Sequence, residues 1–287
     1  MDYGIEEVAF RTDGITVPLS VLRLDKPDPV AGGNKSFKLR HNIDAFLRGG
    51  YEAILTFGGS YSNHIAALAA VGERKGIPVI GLIRDGDEQS RNSITLRRAA
   101  RQGMRLHFIS RSDYRRYRET ENYHDLYEKF GRVWVVPEGG GNLQGIAGCG
   151  EMAAHIPGDF NLIALAVGTG ATFCGLRKAL PAQTALLGIK VLEANQERFI
   201  ERQLGSGIAG SPRITLNGDF TMGGYARPSS ALDGFLSKWR EQTGIPVEPV
   251  YTGRLFYALV SLYLSGFFQA DRRILAIHSG GMQYLGD

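Results

Sequence analysis

A lysine set between glycines and a helix start is the first feature that could do chemistry. In Gly32-Gly33-Asn34-Lys35-Ser36-Phe37-Lys38-Leu39 the chain enters a helical pattern, so the Lys35 amine would be partly desolvated and close to positive peptide dipoles. Both influences lower an amine pKa, which is how a lysine becomes a Schiff-base nucleophile. The Lys35-Ser36 pair is not a nucleotide P-loop, because Asn34 and Pro29 stand where that loop needs its glycines. Alone, the octapeptide also fits a solvated lysine capping a surface loop, the commoner case.

Two further segments run from a strand end into a helix. In Thr56-Phe57-Gly58-Gly59-Ser60-Tyr61-Ser62-Asn63-His64, the glycines let backbone approach a ligand, and Ser62 and Asn63 suit a helix N-cap whose free N–H groups attract an anion. A plain capped helix explains one of these residues but not so many polar groups on one turn. In Val167-Gly168-Thr169-Gly170-Ala171-Thr172, small residues and two hydroxyls make a phosphate cradle. Phe173 occupies the place of the third glycine of a dinucleotide fingerprint. A single phosphate therefore suits the loop better than a pyrophosphate, and a dinucleotide-dependent oxidoreductase is disfavoured. A tight strand-to-helix turn remains the simpler alternative.

Tyr225, in Met222-Gly223-Gly224-Tyr225, and Tyr251, in Pro249-Val250-Tyr251-Thr252-Gly253, lie in loop contexts among 12 tyrosines. Most tyrosines are amphipathic packing residues. His278, in Ala276-Ile277-His278-Ser279-Gly280-Gly281, is read as a satisfied packing histidine and not as a base.

These segments need elements to position them, and the chain alternates short apolar runs with amphipathic stretches. Strands are expected at Val17–Leu24, Ala53–Phe57, Val79–Arg84, Arg105–Ile109, Val133–Val136, Leu162–Val167, Ala185–Leu192 and Ile274–His278. Helices are expected at Asn63–Lys75, Ser90–Gln102, Tyr114–Phe130 and Ala171–Leu180. That rhythm indicates βαβ units and an α/β fold with largely parallel sheets, whose ligands sit beyond the carboxyl ends of the strands. The Gly-rich Gly205–Pro212 and Gly218–Ser230 segments read as long, functional loops.

The 287 residues allow one or two domains, and 43% hydrophobic with 22% charged residues describes an ordinary globular chain. The longest uncharged apolar run, Leu255 to Leu264, is far short of the roughly 20 residues of a membrane span. The acidic start lacks the layout of a signal peptide. A net charge of +4, spread over helix faces, gives no nucleic-acid surface. Two cysteines, Cys149 and Cys174, make neither a disulfide framework nor a metal site, and a cytoplasmic setting is expected. The 38 glycines cluster at predicted strand ends, where backbone must pass close to something.

In order along nearly the whole chain, Gly-Gly-Asn-Lys, Ser-Asn-His, Gly-Thr-Gly, Pro-Val-Tyr-Thr-Gly and His-Ser-Gly-Gly resemble one family. It is the family of pyridoxal-phosphate (PLP) enzymes containing 1-aminocyclopropane-1-carboxylate (ACC) deaminase and D-cysteine desulfhydrase, on the fold of the tryptophan synthase β-subunit. The resemblance implies two open α/β domains with PLP in the cleft between them. Residues 1–46 and 151–287 would form the large domain and 47–150 the small inserted one. Lys35 would carry PLP, with Lys38 near the phosphate and Gly168, Thr169, Gly170, Ala171 and Thr172 cradling it. Asn63 would bond the 3′ oxygen of PLP, and Ser62 would stand at the substrate carbon as base or carboxylate binder. Tyr225 and Tyr251 would line the substrate side, and Thr252 and Ser279 would lie near the pyridine nitrogen. A homodimer acting on a small amino acid, with no metal, completes the expectation.

Similar ACC deaminases carry Glu directly after the late tyrosine, where this chain has Thr252. A carboxylate there favours a protonated ring and a strong electron sink; a hydroxyl leaves the nitrogen neutral and the sink weaker. Elimination of a good β leaving group suits the weaker sink, as in D-cysteine going to pyruvate, ammonia and hydrogen sulfide. Ring opening of ACC and a non-catalytic PLP-binding role are the alternatives. Two departures from the family pattern, Gly59-Ser60-Tyr61 and Met282 to Asp287, mark where specificity would change.

Overall fold

The structure, a computed structural model, describes residues 3–28, 30–192, 196–205, 211, 213–223, 229–269 and 272–283. It opens with β1 (Ile5–Thr12) and β2 (Ile15–Arg23), then α1 (Asn34–Gly49), β3 (Ala53–Gly58), α2 (Asn63–Lys75) and β4 (Val79–Arg84). Two short helices, α3 (Glu88–Arg91) and α4 (Ile94–Arg101), lead to β5 (Arg105–Ile109), α5 (Arg111–Thr120), α6 (His124–Phe130) and β6 (Val133–Val136). Then come α7 (Leu143–Gly150), β7 (Leu162–Val167), α8 (Ala171–Ala179), β8 (Ala185–Lys190), α9 (Gln196–Leu204) and β9 (Ile214–Asn217). The chain closes with α10 (Ser230–Thr243), α11 (Thr252–Leu264) and β10 (Ile274–His278).

Two sheets result, ordered β1-β2-β10-β7-β8-β9 and β5-β4-β3-β6. All pairings are parallel except β1 with β2. Every residue of β3 and β7 is buried, as expected for parallel strands covered on both faces. One face of the larger sheet packs on α10 and α11 through Trp239, Leu255, Phe256 and Leu259, and the other on α7 and α8 through Ile146, Cys149, Phe173 and Leu176. The smaller sheet lies between α1, α2 and α4 on one side and α5 and α6 on the other. Helices α1 and α7 pack on each other at the seam: Leu39, Ile43 and Phe46 join the smaller sheet's core, whereas Ile146 and Cys149 join the larger one's.

Two expected helices are each divided. Ser93 accepts from the Leu96 N–H and restarts Ser90–Gln102 as a second helix. Tyr114–Phe130 breaks at Glu121, whose φ of 51° is left-handed and ends α5. Strand β1 was not expected at all, although Asp13-Gly14, with φ of 49° and 75°, forms the two-residue turn that pairs Thr12 with Ile15. Parts of the two Gly-rich loops, 206–210, 212 and 224–228, lie outside the described residues.

Candidate active site

Strands β3, β4 and β7 end at one cleft of about 1270 Å³, into which the segments that follow them project. The start of α1 is set there by the chain's last strand. Gly33 has φ of 63°, and a Cβ on it would fall 2.0 Å from the Ser279 carbonyl oxygen, so only glycine passes. The Asn34 N–H donates to that same carbonyl at 3.1 Å. Asn34 then joins two cleft residues: its Oδ1 accepts from Lys35 Nζ at 2.8 Å, and its Nδ2 donates to Thr172 Oγ1 at 2.9 Å.

Lys35 lines the cleft, and burial, reinforced by the charge of Lys38, pulls its amine from 10.5 down to about 7. Near neutral pH a large share of this amine is therefore the free base, the nucleophilic form. Lys38, one turn on, donates from Nζ to the Gly139 carbonyl at 2.7 Å, and burial lowers its amine too.

Across the cleft, Ser62 caps α2 by accepting from the Ile65 N–H at 3.3 Å. Asn63 Oδ1 accepts from Gln283 Nε2 at 2.6 Å, which leaves the Nδ2 donor of Asn63 for another partner. His64 follows with a fixed tautomer. Thr56 Oγ1 gives its proton to the Val136 carbonyl at 2.7 Å, so at 2.9 Å it can only accept, and His64 Nε2 carries the hydrogen. Burial, then the charges of Lys35 and Lys38, bring the His64 ring down to about 3, and its bare Nδ1 is buried without a partner.

The turn after β7 supplies backbone donors. The first helical bond of α8 runs from the Cys174 N–H to the Gly170 carbonyl, so the N–H groups of Ala171, Thr172 and Phe173 have no partner within the helix. Gly170 has φ of 97°, and a Cβ there would meet Phe199 at 2.9 Å. Among the described residues the buried Thr169 Oγ1 finds no hydrogen-bond partner.

Tyr251 and Ser279 line the cleft; Thr252 does not. Thr252 is fully buried, its Oγ1 accepting from the Glu248 N–H and donating to Glu248 Oε1, both at 3.2 Å. The Glu248 carboxylate also accepts from the N–H groups of Val250, Tyr251 and Thr252 at 2.6–2.7 Å and so caps α11. Burial pushes its carboxyl up, against the pull of those bonds. The hydroxyl expected at a pyridine nitrogen is thus spent inside a helix cap, and of that pair Ser279 alone reaches the cleft. Tyr225 lies outside the described residues. His278 is a packing residue, as read: Nε2 bonds the Pro246 carbonyl at 2.7 Å and Nδ1 faces Asp25 at 3.0 Å. Burial alone would raise the Asp25 carboxyl, but Arg23, bonded to both its oxygens, and His278 hold it well below the carboxylate range.

Gln283, Glu248 and His64 were not singled out for roles by residue type. Only His64 carried a signal, its place beside Ser62-Asn63.

The cleft fits a phosphorylated aldehyde cofactor. It offers a lysine amine near neutrality, a helix start whose Thr169 hydroxyl lacks a partner, and a glycine turn that a side chain would fill. Fold and site together define an α/β enzyme that depends on pyridoxal phosphate. The chain belongs to the family described as pyridoxal-phosphate dependent enzyme, whose model matches residues 21–280. It is 29% identical over 280 residues to a Thermotoga maritima protein provisionally named 1-aminocyclopropane-1-carboxylate deaminase, covering 91% of this chain and 88% of that one. It is 28% identical over 314 residues to the D-cysteine desulfhydrase of Yersinia enterocolitica, covering 98% and 88%. Among solved structures, an ACC deaminase homologue superposes with a TM-score of 0.78 at 24% identity, covering 98% of this chain and 90% of that one. A hydrogen sulfide-producing enzyme from Fusobacterium nucleatum superposes at 0.68 and 13% identity, with 98% and 96% covered. Among the described residues no helix is long and apolar enough to cross a membrane.

Proposed function

We propose that the protein is a PLP-dependent lyase that eliminates a β substituent from D-cysteine or a similar small D-amino acid, releasing a 2-oxo acid and ammonia. The observation that carries this reading is that Ser279, with a hydroxyl, lines the cleft, whereas neither Thr252 nor Glu248 does. Glu248, four residues before Thr252, is consumed by its cap. A ring nitrogen that faces the Ser279 hydroxyl in place of a carboxylate stays neutral, which favours loss of a β leaving group over ring opening.

Bound at Lys35, PLP would supply an electrophile that withdraws electrons from the substrate α-carbon. Lys35 holds it, and Asn34, bonded to both Lys35 and Thr172, sets the amine relative to the cradle. Gly168 to Thr172 bind the phosphate through N–H groups and the Thr169 hydroxyl, and Lys38 adds charge behind them. Asn63 presents Nδ2 to the phenolic oxygen of the cofactor. Ser62 and the start of α2 receive the substrate carboxylate, and Tyr251 closes the substrate side. The reading includes a homodimer in the cytoplasm, where the buried free thiols of Cys149 and Cys174 suit a reducing compartment.

The holoenzyme should release pyruvate, ammonia and sulfide from D-cysteine, and pyruvate from β-chloro-D-alanine, with little 2-oxobutanoate from ACC. Efficient opening of ACC with neither D-amino acid consumed overturns the proposal.

A further inference from the structure

The cleft is larger than the roughly 300–1,000 Å³ of ordinary ligand pockets, and it extends past Ser62 into an annex walled by β3, β4 and α5. Aromatic rings form its floor: Phe57 meets Tyr114 edge-on at 6.3 Å and Tyr117 at 5.5 Å. Tyr114 is 3% exposed; burial, then the neighbouring Glu138 carboxylate, push its phenol well above the ordinary range, so the hydroxyl keeps its proton. Arg84, the last residue of β4, stands 5.8 Å over that ring. Its Nη2 lies 3.7 Å from where a Cβ on Gly59 would be, and the Gly59 carbonyl receives the Ser62 N–H. Arg84 and Ser62 therefore flank one turn.

The charges leave Arg84 available. Its sequence neighbour Asp85 is neutralised by two 2.7 Å bonds from Arg91, and among the described residues Arg84 makes no ion pair. Arg111 and Arg118 of α5 also line the cleft, as do Asp85, Glu119, Glu121 and Glu138. An arginine without an ion pair, over a ring and beside a protonated phenol, is a receptor for an anion.

We propose that this annex binds a second anionic group of the substrate, so that the preferred amino acid carries a phosphate, sulfate or carboxylate at or beyond its β-carbon. The inference rests on the β-elimination reading and narrows its substrate class. With O-phospho-D-serine the Cα–H bond gives its proton to a base, and its electron pair forms the Cα–Cβ double bond. The Cβ–O bond breaks with its pair leaving on phosphate. Cβ then takes up a proton, turning the enamine into an imine, and water displaces nitrogen from C2, giving pyruvate and ammonia.

The test compares O-phospho-D-serine with β-chloro-D-alanine on holoenzyme. Arg84→Ala should raise the ratio of the two KM values at least tenfold, Tyr114→Phe severalfold, and Arg84→Lys should restore part of the loss. The wild-type preference should shrink between 50 and 500 mM salt. An unchanged ratio in both Arg84→Ala and Tyr114→Phe overturns the annex while continued elimination from β-chloro-D-alanine upholds the reaction. If neither compound is consumed, the reaction reading fails and calorimetry judges the annex alone. O-phospho-D-serine should then bind holoenzyme at least tenfold more tightly than D-serine, a difference that Arg84→Ala removes. Equal affinities overturn it.

Discussion

Glu248 and Thr252 hold each other twice across one turn, the hydroxyl of Thr252 accepting from the Glu248 N–H and donating to its carboxylate, each at 3.2 Å. Three more N–H groups end on the same carboxylate. Replacing Thr252 with Glu would set a second carboxylate against the first inside the protein. It should cost about 3–5 kcal/mol, read as a lower denaturation midpoint, and leave the visible spectrum of the remaining folded holoenzyme unchanged. A stable Thr252→Glu variant with an altered spectrum would return Thr252 to the cofactor. Glu248→Gln, which turns one acceptor into a donor facing N–H groups, should cost about 2–3 kcal/mol by the same measurement.

With Lys35 as the proposed attachment point, its amine would set the pH dependence of cofactor capture. A lysine at its ordinary 10.5 would be about 0.03% free base at pH 7, whereas an amine held at about 7 is roughly half free. The rate at which apoprotein takes up PLP should therefore rise with pH around 7 and level off well below pH 10. Borohydride reduction of the holoenzyme should leave the pyridoxyl group on Lys35. Recovery of the label on Lys38, or a rate still climbing through pH 10, contradicts the assignment.

The cradle depends on Gly170, whose φ of 97° resists any side chain and whose missing Cβ leaves room for Phe199. Gly170→Asp adds a clash and a charge repelling phosphate, so the dissociation constant for PLP should rise at least a hundredfold. Wild-type affinity would put the phosphate elsewhere.

Gln283 orients Asn63. Its Nε2 fixes Asn63 Oδ1, and a Cβ on Gly281 would come within 2.4 Å of Asn63 Nδ2, so the amide is confined on two sides. Gln283→Leu frees the amide to turn its oxygen toward the cofactor. The pH midpoint of the bound cofactor's visible band should move up by about one unit, with the melting temperature changing little. No movement in that midpoint would limit Gln283 to packing.

Much of this was legible in the chain because parallel strands buried on both faces read as unbroken apolar runs. Leu162–Val167 and Val79–Arg84 are found at the limits expected of them. Strand β1 escaped because its burial is patchy at a sheet edge, and only Asp13-Gly14 marked its turn. That Lys35, Ser62, Asn63 and Gly170 line one cleft was foreshadowed by the glycine and cap residues beside them. Thr252 misled for a physical reason: residue type does not say which way a hydroxyl points, and a carboxylate four residues earlier claimed it. Nothing local could reveal that Gln283, 220 positions away, would set the Asn63 amide.

The placement of β10 between β2 and β7 orders events in time. Its residues leave the ribosome after those of every other strand in that sheet, and until then β2 and β7 present open edges that only β10 can pair. Ser279, which seats Asn34, and Gln283, which turns Asn63, arrive with it. A nascent chain can therefore fold its β1–β2 hairpin and its smaller sheet early yet have no competent place for the cofactor. Loading with PLP becomes a step that follows synthesis, and truncation just before residue 274 should yield a chain that neither closes its larger sheet nor turns yellow.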